Sequence, residues 1–188
     1  MKGETKYMKW FFRIIGLIFL AFGTLVIWGY FISPNLTVER SLQVDAYPEE
    51  VFEYLEDLEA FNRWSPWFAR DPDAEYIFGA VDYGVGANVI WRARGETADD
   101  VSEINSQEII ASQAPEFVQS ALLLNGLPAS ATYALSPMDD GTLIYIQFER
   151  ELGGFPYVAR LRKGGLEKAL GKEFDEALAR LKTIVESE

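Results

Sequence analysis

The feature that most constrains this chain is a long uncharged stretch near its N-terminus. Residues 14–32 hold 19 positions without a charged side chain, and 12 of them are Ile, Leu, Phe or Val. A helix rises about 1.5 Å per residue, so roughly 20 apolar residues cross the hydrocarbon core of a bilayer. Trp10, Trp28 and Tyr30 lie towards the two ends, where interfacial aromatic residues collect. The stretch predicts a transmembrane helix at about residues 10–32.

This helix divides the chain into three predicted parts. The N-terminal segment is 1–33, a short linker is 34–37, and one domain occupies 38–187. The alternative to an anchor is a cleaved signal peptide, whose apolar region is about 7–15 residues long and ends at a small-residue cleavage site. Here the apolar stretch is longer, and bulky residues follow Trp28. An uncleaved anchor is therefore the favoured interpretation.

Charge predicts the orientation of this helix in a cell membrane. Within residues 1–33 a single acid, Glu4, stands against four bases. The bases are Lys2, Lys6, Lys9 and Arg13. Basic flanks are retained on the cytoplasmic side, so we expect a cytoplasmic N-terminus and a domain on the exterior or periplasmic side. The first expected partner is the lipid bilayer.

The part of the chain after residue 33 is strongly acidic. The whole chain carries −12 and the first 33 residues carry +3, so the remainder carries −15. A domain with this charge repels phosphate backbones, which argues against a nucleic-acid partner. The chain has neither His nor Cys. This excludes thiolate chemistry, a His general base and the usual zinc ligands, and we expect no metal and no cofactor.

The pattern of apolar residues predicts an α+β domain. Residues 37–46 alternate as a strand does, and Pro48 followed by two glutamates is typical of a helix start. A second short helix is expected at 58–62, broken by Pro66. Six further strands are predicted at 74–80, 87–94, 101–112, 116–124, 129–137 and 142–150. Asn-Gly and Asp-Gly between apolar segments indicate hairpins, so the predicted sheet is antiparallel.

An apolar stripe predicts a long C-terminal helix. Its members recur at steps of three or four and are Leu166, Leu170, Phe174, Leu178, Leu181 and Val185. Gly164-Gly165 is expected to start or kink this helix. Glu176 and Arg180 are spaced as an exposed ion pair between successive turns.

Several spaced motifs in the domain follow one known pattern. They are Val38-Glu39-Arg40-Ser41, Ala46-Tyr47-Pro48-Glu49-Glu50-Val51-Phe52, Trp64-Ser65-Pro66-Trp67, Gly84-Val85-Gly86-Ala87, Ser106-Gln107-Glu108-Ile109 and Leu170-Gly171-Lys172-Glu173-Phe174. Over about residues 36–186 the chain resembles the START-like, polyketide cyclase/dehydrase (SRPBCC) superfamily. The resemblance implies a helix-grip fold, in which a seven-stranded antiparallel sheet wraps around the long C-terminal helix and two short helices follow strand 1. It also implies an apolar cavity between sheet and helix.

Four aromatic residues are candidates for lining that cavity. Trp64 and Trp67 would place both rings at its mouth and grip an apolar ligand. The alternative is that the two rings close the core where the short helices meet the sheet. Trp91 and Tyr133 lie on predicted strands where they could face inward, and packing in the core is the favoured interpretation for both. No residue is identified as catalytic.

Charged residues on the predicted strands have two interpretations each. Glu108 is a cavity candidate, because an inward carboxylate is costly to bury and is therefore often functional. Neighbouring strand residues point to opposite faces, so Glu108 faces water if Ile109 faces the core, and exposure is favoured. Arg92 and Arg94 share one face and could pair with acids on neighbouring strands.

A small basic cluster precedes the C-terminal helix. It consists of Arg160, Arg162 and Lys163. Such a cluster is typical of a solvated face, and contact with a membrane surface is the alternative.

Three functional hypotheses follow from the resemblance and the predicted anchor. The first is a membrane-anchored binding module for a small hydrophobic or amphipathic ligand. Residues 33–37 span at most about 17 Å, so the domain would stay against the bilayer and could take its ligand from there. The second is a polyketide cyclase/dehydratase-like enzyme that uses carboxylate, Tyr or Arg groups. The third is a domain that recognises another envelope protein. The pattern does not indicate an oligomeric state.

Overall fold

The computed structural model of the chain describes residues 4–92, 105–154 and 157–187. Its first element is α1 (Glu4–Phe31), which begins earlier than the predicted helix at about 10–32. Met8–Phe31 is long and apolar enough to cross a membrane. The most apolar window of this helix has no buried residue, so it is not a core helix of the domain.

The seven strands form one antiparallel sheet, as predicted. They are β1 (Asn35–Val44), β2 (Glu75–Phe78), β3 (Asn88–Arg92), β4 (Asn105–Gln113), β5 (Phe117–Leu124), β6 (Leu127–Met138) and β7 (Gly141–Glu151). Their order across the sheet is β1-β7-β6-β5-β4-β3-β2. The first strand begins two residues before the predicted start at 37. The predicted ends of two strands, within 93–104, lie outside the described residues.

Alternating side chains give the sheet one buried face. In β7 the buried residues are Thr142, Ile144, Ile146 and Phe148, and the residues between them are partly exposed. The inward residues of β5 and β6 alternate in the same way. Since neighbouring strand residues point to opposite faces, this alternation turns one apolar row per strand towards the helices.

Three short helices follow β1, where two were predicted. They are α2 (Pro48–Glu56), α3 (Leu58–Asn62) and α4 (Pro66–Arg70). The expectation that Pro66 breaks the helical region is wrong, because Pro66 occupies the first position of α4. There its missing N–H costs nothing, and the Ser65 hydroxyl caps the helix by accepting the Phe68 N–H at 3.1 Å.

The predicted C-terminal helix is α5 (Lys163–Val185), which follows a short 3-10 helix (Val158–Arg162). Gly164 and Gly165 lie in its first turn, so they start the helix. Of the predicted stripe, Phe174, Leu178 and Leu181 are buried against the sheet, whereas Leu166 is exposed. Full burial of each such side chain contributes roughly 1.5–3 kcal/mol, which holds α5 in the concave face of the sheet.

The predicted ion pair between Glu176 and Arg180 is wrong. The Arg180 guanidinium donates to the carbonyl oxygens of Trp64, at 3.0 and 3.2 Å, and of Ser65, at 3.2 Å. Glu176 pairs instead with Lys172 at 3.4 Å. The orphan carbonyls at the end of α3 are a better partner for a guanidinium than an exposed carboxylate, and the contact fixes α5 to the corner between α3 and α4.

The end of the domain that lies next to α1 is called the anchor end below. There the Leu152 N–H donates to the Pro34 carbonyl at 2.7 Å, which joins the end of β7 to the start of β1. The Tyr30 ring of α1 contacts the Tyr157 ring, with centroids 5.7 Å apart. Because all neighbouring strands are antiparallel, the C-terminal end of β5 and the N-terminal end of β6 share this end. The start of α5 lies here too.

Candidate functional site

The middle of the domain interior is a packed aromatic cluster. The rings of Phe61, Trp64 and Tyr133 meet edge to face, with centroids 4.6 to 5.9 Å apart. Trp64 is 0% exposed, and its Nε1 donates to the Tyr54 carbonyl at 3.0 Å. The chain itself thus satisfies the only polar atom of this side chain. Trp64 is a core residue and does not lie at a cavity mouth, because α3 turns its ring inward behind α4.

Trp67 lies in a second aromatic cluster, closer to the anchor end. Its ring contacts Phe148 of β7 and Phe174 of α5, both with centroids 5.9 Å apart from it. The Arg70 guanidinium lies over the Trp67 ring, 5.4 Å from its centroid. Trp67 Nε1 is buried and makes no hydrogen bond among the described residues. The sequence prediction that this Trp lies beside the interior agrees with its position.

Tyr133 places a polar atom at the centre of the interior. The side chain is 0% exposed, and its hydroxyl has no hydrogen-bond partner in the described part of the chain. Burial raises the pKa of the Tyr133 hydroxyl far above its ordinary value, so the group stays neutral. A neutral hydroxyl in this position can donate one hydrogen bond and accept another.

The inward polar residue of β4 is Gln107, and Glu108 is not. Gln107 is buried, and its Nε2 donates to the Ser120 hydroxyl at 3.2 Å. Glu108 is exposed on the opposite face, so its place among the cavity candidates is wrong. Strand alternation is the physical reason, since Ile109 is fully buried and fixes the phase of the strand. The same alternation, counted back two residues from Ile109, points to Gln107.

Trp91 faces inward on β3, as considered from the sequence. It is 6% exposed, and its ring stacks on Tyr76 with centroids 6.1 Å apart and planes at 18°. Burial, followed by the charge of Asp71, raises the pKa of Tyr76 to about 12. The next residue, Arg92, pairs with Glu75 of β2 at 2.7 Å, which confirms the expected cross-strand pairing. The companion residue Arg94 lies outside the described residues.

Arg150 brings a cation to the inner face of β7, and the sequence analysis missed it. It follows Phe148 by two residues, so both point inward, and its side chain is half-buried. Its Nη2 donates to the Leu124 carbonyl at 3.3 Å, whereas its Nε is buried without a partner among the described residues. Burial, and then the nearby positive charge of Arg70, lowers the pKa of Arg150. A cleft of about 400 Å³ opens beside Arg150 at the anchor end.

The chemistry of this interior suits binding better than acid–base catalysis. Within residues 4–92, 105–154 and 157–187 no carboxylate is buried, and the buried polar residues are Ser65, Gln107, Ser120 and Thr142. The same residues hold no group of three or more His, Cys, Asp or Glu side chains able to bind a metal ion. What remains is an apolar interior with a few hydrogen-bonding atoms spaced along it, the usual composition of a small-molecule site.

Solved structures with this fold come from several organisms. The Chromobacterium violaceum protein CV1439 is 18% identical, with a TM-score of 0.57 over 80% of this chain and 97% of that one. The Staphylococcus aureus protein of unknown function SA2116 is 12% identical, with a TM-score of 0.59 over 81% and 94%. An Arthrobacter aurescens protein is 18% identical, with a TM-score of 0.56 over 81% and 87%. At these identities the likeness shows the fold alone.

The comparison of sequences identifies the family. No protein with a curated description matches the chain. The profile of the family described as "Polyketide cyclase / dehydrase and lipid transport" matches residues 35–186, which cover the whole sheet and nearly all of α5. This confirms the resemblance found in the motifs. The chain belongs to the polyketide cyclase/dehydrase and lipid transport family.

Proposed function

We propose that the chain is a membrane-anchored binding module for a small hydrophobic or amphipathic ligand. The observation that carries the proposal is the set of buried polar atoms without a partner: Trp67 Nε1, Tyr133 Oη and Arg150 Nε. Buried donors are nearly always bonded, and each exception needs a physical explanation. A ligand with an apolar body and a few oxygen atoms would satisfy these groups.

The position of the cleft supports uptake from a membrane. Asn35, which begins β1 directly after α1, lines the same cleft as Arg150 and Ala129. The Arg160 guanidinium of the 3-10 helix reaches back to the Ile32 carbonyl at 3.5 Å. If α1 lies in a bilayer, these contacts hold the cleft against the membrane surface, where an amphiphile needs only a short path to enter.

The proposed topology places the N-terminus in the cytoplasm and the domain outside. Its basis is the excess of bases before α1, because basic flanks resist translocation. A C-terminal alkaline phosphatase fusion tests it, since this enzyme folds only in an oxidising compartment. We expect full phosphatase activity. An inactive fusion, with an active cytoplasmic reporter at the same position, would reverse the orientation.

An enzymatic role is the second candidate, and one observation favours it. Tyr133 is a neutral hydroxyl held in an apolar interior, which is the state required of a weak general acid. Cyclisation of a folded substrate needs mainly shape and such an acid. Conversion of a bound ligand over time, abolished in Tyr133→Phe, would establish this role. Recovery of the ligand unchanged supports the binding module.

Native mass spectrometry of the full-length chain tests the proposed function. The protein is extracted from the membranes of its expression host with a mild detergent and released in the gas phase. We expect one amphiphile per chain, retained by the domain. A bare chain that also fails to bind any member of a panel of fatty acids, lysolipids and polyketides would contradict the proposal.

A further inference from the structure

Arg150 lies where a ligand would have its head. Its Nε is buried without a partner, and no ion pair with Arg150 forms in the described part of the chain. A buried guanidinium that lacks an anion is costly to maintain. Its neighbours Glu149 and Glu151 alternate onto the exposed face of β7, so neither neutralises it from inside.

A second guanidinium increases this local excess of positive charge. Arg70 of α4 is close enough to lower the pKa of Arg150 by repulsion. Arg70 already has an anion, because it pairs with Glu173 of α5, and its guanidinium covers the Trp67 ring. The unneutralised charge is therefore that of Arg150. An oxyanion beside it would accept hydrogen bonds from a planar fork of N–H groups and relieve the repulsion.

The apolar cluster begins one strand repeat away from this charge. Phe148 and Arg150 point to the same side of β7 and are separated by about 7 Å along the strand. Beyond Phe148 lie Trp67 and Phe174, whose rings would contact an acyl chain. A cation at the anchor end followed by aromatic rings towards the centre is complementary to a molecule with an anionic head and an apolar tail.

We propose that the ligand is a single-chain anionic amphiphile, with its oxyanion on Arg150 and its tail along Phe148, Trp67 and Phe174. This inference rests on the proposed function and narrows it to one substrate class. The shared chemistry is an oxyanion on an acyl chain, which either a fatty-acid carboxylate or a lysophospholipid phosphate supplies. The head remains at the anchor end, nearest to the membrane from which it would come.

The test compares three ligands that share a sixteen-carbon tail. Palmitate, 1-palmitoyl lysophosphatidic acid and neutral 1-palmitoylglycerol are titrated into the full-length chain in detergent, with binding read by native mass spectrometry. We expect the better anionic ligand to bind roughly 10- to 100-fold more tightly than the neutral one, as charged hydrogen bonds allow. Its identity shows whether the head is a carboxylate or a phosphate.

Variants of Arg150 separate a binding role from a structural one. Arg150→Gln should weaken the anionic ligand roughly 10- to 100-fold and leave the neutral one within about twofold. Without ligand its Tm should equal or exceed that of the wild type, because an unneutralised buried charge is removed. Arg150→Lys keeps the charge without the fork and should give an intermediate affinity. Arg63→Gln is the matched control, since Arg63 lies over the Tyr54 ring and away from the cleft.

The outcomes distinguish this inference from the proposed function. Equal affinity for the charged and neutral ligands, or an Arg150→Gln protein that still prefers the anions, would overturn the anionic head while the binding module stands. Failure of all three ligands, with the wild-type chain folded, would overturn both. An Arg150→Gln protein that unfolds would show Arg150 to be structural, and the comparison of ligands on the wild type would then decide alone.

Discussion

Replacement of Trp64 by alanine is expected to lower the free energy of unfolding by about 3–5 kcal/mol. The side chain is 0% exposed and packs edge to face against Phe61 and Tyr133. The substitution leaves a cavity at the centre of the domain and removes the hydrogen bond to the Tyr54 carbonyl, which is then buried without its partner. Denaturant unfolding, followed by near-ultraviolet circular dichroism, measures the loss.

Trp10→Ala is the matched control for this substitution. Trp10 lies on α1 and is 65% exposed, so its removal should change the stability of the domain by less than about 0.5 kcal/mol. A loss below about 1 kcal/mol in Trp64→Ala would contradict the packed cluster. It would instead favour the original expectation that Trp64 borders an open cavity.

Replacement of Gly141 by alanine is expected to cost about 2–5 kcal/mol. Gly141 begins β7 with a φ of 108°, a backbone conformation that L side chains rarely adopt. A Cβ there would also overlap the carbonyl oxygen of Val44 on β1, so the strands must shift. Backbone strain contributes about 1–3 kcal/mol and overpacking a similar amount. Chemical unfolding of the purified variant gives the sum.

Gly84→Ala separates these two contributions. Gly84 has a φ of 74°, but a Cβ there would meet no atom within 4 Å. It should therefore cost only the strain of the left-handed conformation, about 1–2 kcal/mol. Equal losses in the two variants would show that the approach of Gly141 to Val44 has no energetic consequence. That result would contradict the register in which β1 and β7 are paired.

Local sequence patterns were sufficient to predict most elements of this fold. Strand alternation and Asn-Gly or Asp-Gly turns predicted the sheet, and a stripe at steps of three and four predicted α5. The pattern did not predict α4, because Pro66 both ends one helical segment and opens another. Ser65 immediately before it was the missing signal, since Ser followed by Pro is a strong helix start. Arg180 was mispaired because its partners, two backbone carbonyls, lie more than 100 residues earlier in the chain.

The candidate site was less accessible from sequence for a physical reason. Alternation can show that Trp91, Tyr133 or Gln107 faces inward, but only tertiary contacts decide whether its polar atom has a partner. Trp64 and Trp67 illustrate this, because they are three residues apart and equally aromatic. One donates to a backbone carbonyl and the other donates to nothing among the described residues. Arg150 could have been found by extending the buried row of β7 two residues beyond Phe148.

The central claim is that the interior between the sheet and α5 holds an amphiphile. The most direct measurement extends the native mass experiment with a palmitate that carries a photoreactive diazirine on its tail. After irradiation of the full-length chain, the labelled peptides are mapped by mass spectrometry. We expect labels around Trp67, Phe148 and Phe174, suppressed by excess palmitate. Labels confined to α1 and unaffected by the competitor would place the acyl chain on the membrane helix alone and contradict the account.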